Sequence, residues 1–106
     1  MLNWKILLTA GAVALATAAP AAAEYLRIVN RSGSTITAIW TSASSNNSWE
    51  NELLRGRRLG NGQYYEMNIR NVIDCNYDLR VQWADGYTAE DYGINICQVD
   101  VYTIRP

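Results

Sequence analysis

Apolar and polar residues alternate with a period of two along most of the chain behind residue 24, and this pattern constrains the fold more than any other feature. The clearest run extends from Cys75 to Trp83, where the odd-numbered positions are apolar or aromatic and the even-numbered positions are polar or charged. Successive side chains of a strand point to opposite faces, so this run predicts a strand with one buried and one solvated face. The chain is therefore predicted to be mainly β.

Four further runs with β-branched or aromatic residues predict strands at 25–30, 35–41, 63–70 and 94–104. Turn-forming residues separate several of them. The cluster at 30–34 predicts a hairpin between the first two strands, and the pairs Asn61-Gly62 and Asp85-Gly86 predict tight turns. The apolar parity changes within the last run, which predicts a β-bulge near Cys97.

One short helix is predicted between the second and third of these strands. Asn47 and Glu50 have the spacing of a capping box, and Trp49, Leu53 and Leu54 recur at helical spacing behind it. No segment is long enough for a helix that covers a parallel sheet. The predicted fold is a small antiparallel sandwich or partly open barrel with one short helix and one disulfide.

The first 23 residues are predicted to be a signal peptide. Lys5 precedes an apolar stretch at 6–19, and small residues at 21–23 offer a cleavage site. The apolar stretch is shorter than the about 20 residues that span a bilayer, so an uncleaved anchor is the disfavoured alternative and no membrane span is expected after cleavage. Residues 24–106 then form a single β domain, periplasmic or secreted.

Cys75 and Cys97 are the two cysteines of the chain. Cleavage leaves 83 residues, and a domain of this size buries only about 60–65 % of the surface that its unfolded chain exposes. Such domains need an additional constraint, and in an exported chain two cysteines predict a structural disulfide. A redox-active pair is disfavoured, because active dithiols are usually separated by two residues.

Charge and composition exclude several function classes. Without Lys5, eight arginines stand against ten acidic residues, so the domain lacks the basic face that nucleic-acid binding requires. The chain contains no histidine, which removes Ser-His-Asp and Cys-His catalysis and the commonest ligand of transition metals. The sequence therefore predicts neither an enzyme nor a metal or other cofactor.

Acidic residues leave two alternatives open. Oxygen donors for calcium occur between Asp85 and Asp91, with Asp74 and Asp78 near the first cysteine. A pair of carboxylates such as Asp85 and Glu90 could serve as the two catalytic residues of a carboxylate-dependent hydrolase. Both are disfavoured here, because acidic residues next to glycine are typical of turns and a domain this small rarely encloses a catalytic cleft.

Aromatic side chains give the strongest indication of a binding surface. Those on apolar parity are predicted to lie in the core and are Trp40, Tyr77 and Trp83. Those on polar parity or in a predicted loop at 86–93 are expected to be exposed and are Tyr64, Tyr87 and Tyr92. Trp49 either packs under the predicted helix or serves as an exposed anchor.

Three arginines, Arg55, Arg57 and Arg58, share one loop between glycines. Guanidinium groups suit carboxylate and phosphate partners, so this loop is a candidate for binding anionic groups. The alternative is a solvated loop whose arginines pair with Glu50 and Glu52, since weak surface ion pairs of this kind are common.

These segments resemble a group of small uncharacterised exported bacterial proteins of the periplasm. The resemblance is carried by Ile28 to Gly33, by Trp49 with Leu53-Leu54, by Asp85-Gly86, and most specifically by the segment Cys75-Asn76-Tyr77-Asp78-Leu79-Arg80 with the distant Cys97. It implies an exported domain with one disulfide and implies no activity.

The leading hypothesis is an exported envelope domain that binds a protein as a non-enzymatic accessory or inhibitor module. The first alternative is a carbohydrate or cell-wall binding module that uses Trp49, Tyr64, Tyr87 and Tyr92. The partner is then an envelope protein or a glycan, not a nucleic acid. A small carboxylate-dependent hydrolase is the second alternative.

Overall fold

The computed structural model describes residues 24–70, 72 and 74–106. The predicted signal peptide lies outside them. Seven strands occur in the described residues, β1 (Glu24–Asn30), β2 (Ile36–Ala43), β3 (Asn51–Glu52), β4 (Tyr64–Ile69), β5 (Asn76–Trp83), β6 (Thr88–Asn95) and β7 (Val101–Ile104). None of these residues is helical, so none belongs to an apolar helix long enough to cross a bilayer. The prediction of a mainly β fold is confirmed.

The strands form two sheets that share one core. In the first, β1 lies between β4 and β7, antiparallel to β4 and parallel to β7. In the second, all neighbours are antiparallel, in the order β3-β2-β5-β6. The antiparallel prediction therefore holds except at the pair of β1 and β7. The core takes side chains from both sheets and from the connecting loops, namely Leu26, Ile28, Ile36, Ile39, Leu54, Leu59, Met67, Leu79, Val81, Ile94, Ile96 and Ile104.

The predicted hairpin between the first two strands is wrong. Both sides of β1 are already paired, with β4 and with β7, so the chain leaves the first sheet after Asn30 and enters the second. Asn30 is fully buried at this crossing. Its Nδ2 donates to the carbonyls of Ser34 (2.7 Å) and Leu59 (2.9 Å), and its Oδ1 accepts from the N–H (3.0 Å) and hydroxyl (2.7 Å) of Ser32. Its side chain therefore satisfies four polar groups at the junction of the sheets.

Trp40 does not lie in the core, contrary to prediction. The register between β2 and β5 shifts between Ile36 and Ala38, so the inward parity of β2 changes there. Ile39 becomes buried, while the ring of Trp40 faces away and lies 5.3 Å from the guanidinium carbon of Arg80. The other two predicted core aromatics, Tyr77 and Trp83, are half-buried and pack against the core, which confirms that prediction.

The predicted short helix is absent from the described residues. Asn51 and Glu52 instead pair with Thr41 and Trp40 as a short edge strand. The carboxylate of Glu52 accepts backbone N–H groups from the following residues and from the neighbouring strand, namely Ile39 (2.9 Å), Leu54 (2.9 Å) and Arg55 (2.7 Å). These bonds hold the backbone in a turn and compete with helical hydrogen bonds. The Glu50 carboxylate accepts from the Asn46 side chain rather than closing a capping box with Asn47.

Glu52 makes the stability of the protein sensitive to acid. Burial by itself raises the pKa of the Glu52 carboxyl, but the three N–H donors and the charge of Arg55 outweigh burial and lower that pKa below its usual value. A lowered pKa in the folded state stabilises the fold above the unfolded pKa, about 4.3 for a glutamate, and this contribution is lost as the pH falls through the folded pKa.

Replacement of Glu52 by glutamine is expected to cost about 1–3 kcal/mol at neutral pH, because the amide nitrogen cannot accept the N–H groups that the carboxylate held. The cost should shrink as the pH falls below about 4. Urea unfolding at pH 7 and at pH 3 measures both. Glu50→Gln, which changes an exposed carboxylate, is the control. An equal cost for Glu52→Gln at both pH values would contradict the assignment.

The predicted last strand at 94–104 is two strands, and the predicted loop at 86–93 largely belongs to β6. Residues 96–98 form a turn, because the side chain of Asn95 accepts the N–H of Cys97 and its carbonyl accepts those of Gln98 and Val99. Cys97 lies in this turn, outside every strand pairing of the described residues, so the bulge predicted there is also wrong. The predicted turns at Asn61-Gly62 and Asp85-Gly86 are confirmed, and both glycines have positive φ.

Cys75 and Cys97 form the predicted disulfide, with their Cα atoms 5.4 Å apart. Cys75 immediately precedes β5, and Cys97 lies in the turn that follows β6. The carbonyl of Cys75 also accepts the N–H of Ile96 at 2.8 Å. The hairpin of β5 and β6 is thus closed at one end by the Asp85-Gly86 turn and at the other by the disulfide, a bond compatible with an oxidising compartment.

Candidate functional site

The structure separates the seven predicted binding residues into three places. Arg57, Arg58 and Tyr64 line one groove. Trp49 and Tyr92 lie side by side at a second, smaller pocket, where β6 meets the loop that follows β2. Tyr87 is at the turn between β5 and β6. The remaining residue, Arg55, is exposed with φ of 53° in the loop that leads to the first groove.

We name the first of these places the arginine groove. It is an open depression of about 480 Å³ between the 54–63 loop and the start of β4. Its apolar floor includes the buried side chains of Leu54 and Leu59. Arg57, Arg58 and Tyr64 line it as exposed side chains, and 53 % of Tyr64 is accessible. An apolar floor with cationic and aromatic walls is suited to a segment that carries carboxylate or phosphate groups.

The arginines of this loop form no close ion pairs in the part of the chain that the structure describes. Among residues 24–70, 72 and 74–106, Arg55, Arg57 and Arg58 make no ion pair within 4.0 Å. The predicted alternative, pairing with Glu50 and Glu52, is not formed, because one carboxylate binds backbone N–H groups and the other binds a side-chain amide. These guanidinium donors are therefore available to an anionic ligand.

Arg27 adds a fourth cation beside the groove. Its guanidinium carbon lies 4.2 Å from the ring centroid of Tyr64, and its Nη2 donates to Glu66 at 3.1 Å. The stacking limits the positions open to the Tyr64 ring. Sequence reasoning missed this residue. The only signal in the sequence was that Arg27 falls on the polar parity of the first strand, which does not reveal which strand lies alongside.

Backbone contacts fix the loop that carries the arginines. Leu59 exchanges two backbone hydrogen bonds with Ile36, both of 2.9 Å, which ties the loop to the start of β2. Gly60 donates to the side chain of Gln63 at 2.6 Å. Gly56 and Gly62 have φ of 84° and 88°, so the loop turns at positions that disfavour residues with a Cβ. The groove therefore has a defined shape.

The second place is the pocket of Trp49 and Tyr92. The ring centroids are 6.3 Å apart, and the pocket measures about 160 Å³. Its polar lining includes Asn46, Asn47 and Asp78. Tyr92 is 62 % accessible and its hydroxyl donates to Glu90, whereas Trp49 is half-buried. The pocket is smaller than the about 300–1,000 Å³ of pockets for drug-sized ligands, so a single ring is the largest group it suits.

Tyr87 lies apart from both sites. Its ring centroid is 5.6 Å from that of Trp83, and 67 % of the residue is accessible. The indole Nε1 of Trp83 donates to Ser32 at 2.8 Å, so this aromatic pair is attached to the polar network around Asn30. The three predicted tyrosines therefore do not form one continuous binding face.

The acidic residues considered for calcium or hydrolysis each have a partner within the protein. Asp85 accepts the N–H of Tyr87, Asp74 that of Asn76, and Asp78 accepts from Ser44 and Gly93. Glu90 accepts from Tyr92 and lies 3.6 Å from the Nε of Arg80. Within the described residues, no three acidic side chains are grouped as a metal site requires.

Asp91 joins the neighbouring edges of the two sheets. It accepts from the hydroxyl of Tyr102 at 2.5 Å, which connects β6 to β7. Burial, followed by this hydrogen bond and the charge of Asp91, raises the pKa of the Tyr102 phenol. The contact is structural, and it occupies the side of β6 that faces β7.

Comparison with known proteins identifies no relative of this chain. The chain matches no protein-family model, no curated protein and no solved structure. Its function must therefore be inferred from the sites themselves.

Proposed function

We propose that this chain is an exported, non-enzymatic binding domain that docks an acidic segment of another envelope protein in the arginine groove. It would act as an accessory or inhibitor module in the periplasm or outside the cell. The observation that carries the proposal is that Arg57 and Arg58 line an apolar-floored groove and form no ion pair with any acidic residue that the structure describes. Desolvated arginine and tyrosine side chains are frequent sources of binding energy at protein interfaces.

Two further observations support this reading. The order of charge, apolar stretch and small residues at 1–23 is that of a signal peptide, and the disulfide is compatible with an oxidising compartment. The chain as a whole has a formal charge of −1, so Arg57 and Arg58 in the lining, with Arg55 in the same loop, make the groove locally cationic against a slightly acidic background. Such a contrast favours acidic partners and steers them to the groove.

The test is capture of partners from an envelope extract by the purified exported protein. We expect a discrete protein to be recovered, and Arg57→Ala with Arg58→Ala to reduce its recovery about tenfold or more, because each lost charge-assisted hydrogen bond costs about 1.5–3 kcal/mol. Arg70→Ala with Arg105→Ala changes the net charge equally at exposed positions away from the groove and should leave recovery unchanged. Equal loss in both pairs, or no captured protein, would contradict the proposal.

The pocket of Trp49 and Tyr92 supports a second candidate function, binding of a carbohydrate or cell-wall fragment. Two aromatic rings beside amide and carboxylate groups are suited to a single sugar ring, which has apolar faces and a rim of hydroxyls. Tryptophan fluorescence across a panel of glycans and peptidoglycan fragments tests it. Saturable quenching that Tyr92→Ala removes and Tyr87→Ala retains would support this function, and a flat response across the panel would exclude it.

A further inference from the structure

One edge of the first sheet is open beside the arginine groove. β4 is the outer strand of the order β4-β1-β7, and no strand of the described residues pairs with its other side. It is six residues long, and its first residue, Tyr64, also lines the groove. An exposed edge of this length is able to accept an extended segment by backbone hydrogen bonding.

The hydrogen-bond pattern shows which groups of β4 face outward. Asn30 donates to the carbonyl of Gln63 at 2.9 Å, and the register of β1 and β4 continues this pairing antiparallel. Hydrogen-bonded and non-hydrogen-bonded pairs alternate along such a ladder. The residues whose N–H and C=O groups point away from β1 are therefore Tyr64, Glu66 and Asn68.

The hydrogen bonds on the other side of β1, towards β7, support the same assignment of outward-facing groups. Arg27 is the register partner of Glu66 and donates its N–H to the carbonyl of Asp100, towards β7. The N–H and C=O groups of Arg27 therefore point away from β4, as expected for a non-hydrogen-bonded pair. Each of the three outward-facing residues of β4 offers one N–H donor and one C=O acceptor. Together they can pair with an added strand of about six residues.

The other edges are less suited to an acidic partner. β3 is two residues long and β7 is four. β6 is eight residues long, but it carries Glu90 and Asp91, and the latter is bonded to Tyr102 of β7. An acidic segment would meet both of these carboxylates there. β4 carries a single carboxylate, Glu66, which is paired with Arg27 at 3.1 Å, and Arg57 and Arg58 line the groove at its Tyr64 end.

We propose that the partner segment binds as an extended strand added to β4, with its acidic side chains in the arginine groove. This inference rests on the proposed function and deepens it, because it specifies the partner as an acidic segment without a folded recognition surface. Backbone hydrogen bonds between the added strand and residues 64, 66 and 68 supply the affinity. The arginines select for carboxylates at the end of the segment beside Tyr64.

A random peptide display library, panned against the purified exported protein, tests the proposal. We expect enriched peptides to carry acidic residues and to lose about tenfold or more in affinity when alternate backbone nitrogens are methylated, because each methyl removes one hydrogen-bond donor. Methylation of the intervening nitrogens, which point away from β4, should change the affinity little. Enriched peptides that lack acidic residues, or that respond equally to both methylation patterns, would overturn it.

A variant of the protein provides the complementary test. The Asn68 N–H points outward, so Asn68→Pro removes a donor for the added strand without removing a bond to β1, and proline is tolerated at such edge positions. We expect Asn68→Pro to keep its unfolding midpoint and to lose binding of the selected peptides, while Asn68→Ser retains both. If Asn68→Pro binds normally but Arg57→Ala with Arg58→Ala still abolishes capture of the partner, strand addition is wrong and the proposed function stands.

Discussion

Replacement of Asn30 by alanine is expected to lower the free energy of unfolding by about 3–5 kcal/mol, the largest effect of any single substitution considered for this chain. The side chain is fully buried and makes four hydrogen bonds at the crossing between the two sheets. Alanine leaves the carbonyls of Ser34 and Leu59 and the N–H of Ser32 without these partners. Small domains have only about 5–15 kcal/mol of stability in total, so the variant should be close to unfolded.

Urea unfolding of the variant and of two controls measures this effect. Asn61→Ala removes an exposed side chain that accepts one N–H, from Gly33 at 2.9 Å, and should cost about 1 kcal/mol. Asn30→Asp keeps the acceptor for Ser32 but places a carboxylate oxygen against two carbonyls, so it should be at least as harmful as alanine. A cost for Asn30→Ala no greater than that for Asn61→Ala would contradict the role of this network.

Removal of the disulfide by Cys75→Ser with Cys97→Ser is expected to cost roughly 3 kcal/mol, since the two cysteines are 22 residues apart in sequence and the chain-entropy cost of a loop of that order has this size. For a domain of this length the loss corresponds to a decrease of roughly 12–24 °C in the melting temperature. Hydrogen exchange should increase first in β5 and β6, because the bond closes the open end of that hairpin.

Thermal unfolding with and without reductant measures the same quantity in the unmodified protein. The reductant should lower its melting temperature to that of the double serine variant and should not affect the variant itself. Free thiols detected by intact mass in the protein purified under oxidising conditions, together with a melting temperature that reductant does not change, would contradict the account of the disulfide.

Local pattern was sufficient to predict most strands. The alternation in 75–83 reflects which face of a strand is buried, and the structure buries Leu79 and Val81 as that alternation requires. The disulfide was predictable from the predicted export and the cysteine count, because two cysteines leave only one possible pairing. These predictions depend on neighbouring residues or on composition alone, which the sequence displays directly.

The errors share a non-local cause. A hairpin after Asn30 was predicted from turn-forming residues, but both edges of β1 are taken by strands that lie far along the chain. The helix near Trp49 was predicted from spacing, whereas Glu52 is held by Ile39 of a different strand. Trp40 was assigned to the core because no local feature reveals the register shift between Ile36 and Ala38.

The candidate site was predictable residue by residue but not as a site. Arg57, Arg58 and Tyr64 were identified by side-chain chemistry and expected exposure. That they share a groove depends on how the 54–63 loop folds against β4, and the position of Arg27 beside Tyr64 depends on strand register. For the same reason, Tyr87 and Tyr92 were grouped with Tyr64 although the structure separates them.

Photocrosslinking in the native organism tests most directly whether partners dock in the arginine groove. A photoreactive phenylalanine analogue is placed at position 64, the first residue of β4, in one version and at position 87, in the turn between β5 and β6, in another. The two tyrosines have accessible fractions of 53 % and 67 %. We expect a discrete crosslinked protein from position 64, lost with Arg57→Ala and Arg58→Ala, and none from position 87. Crosslinking from position 87 alone, or from neither position, would contradict the account.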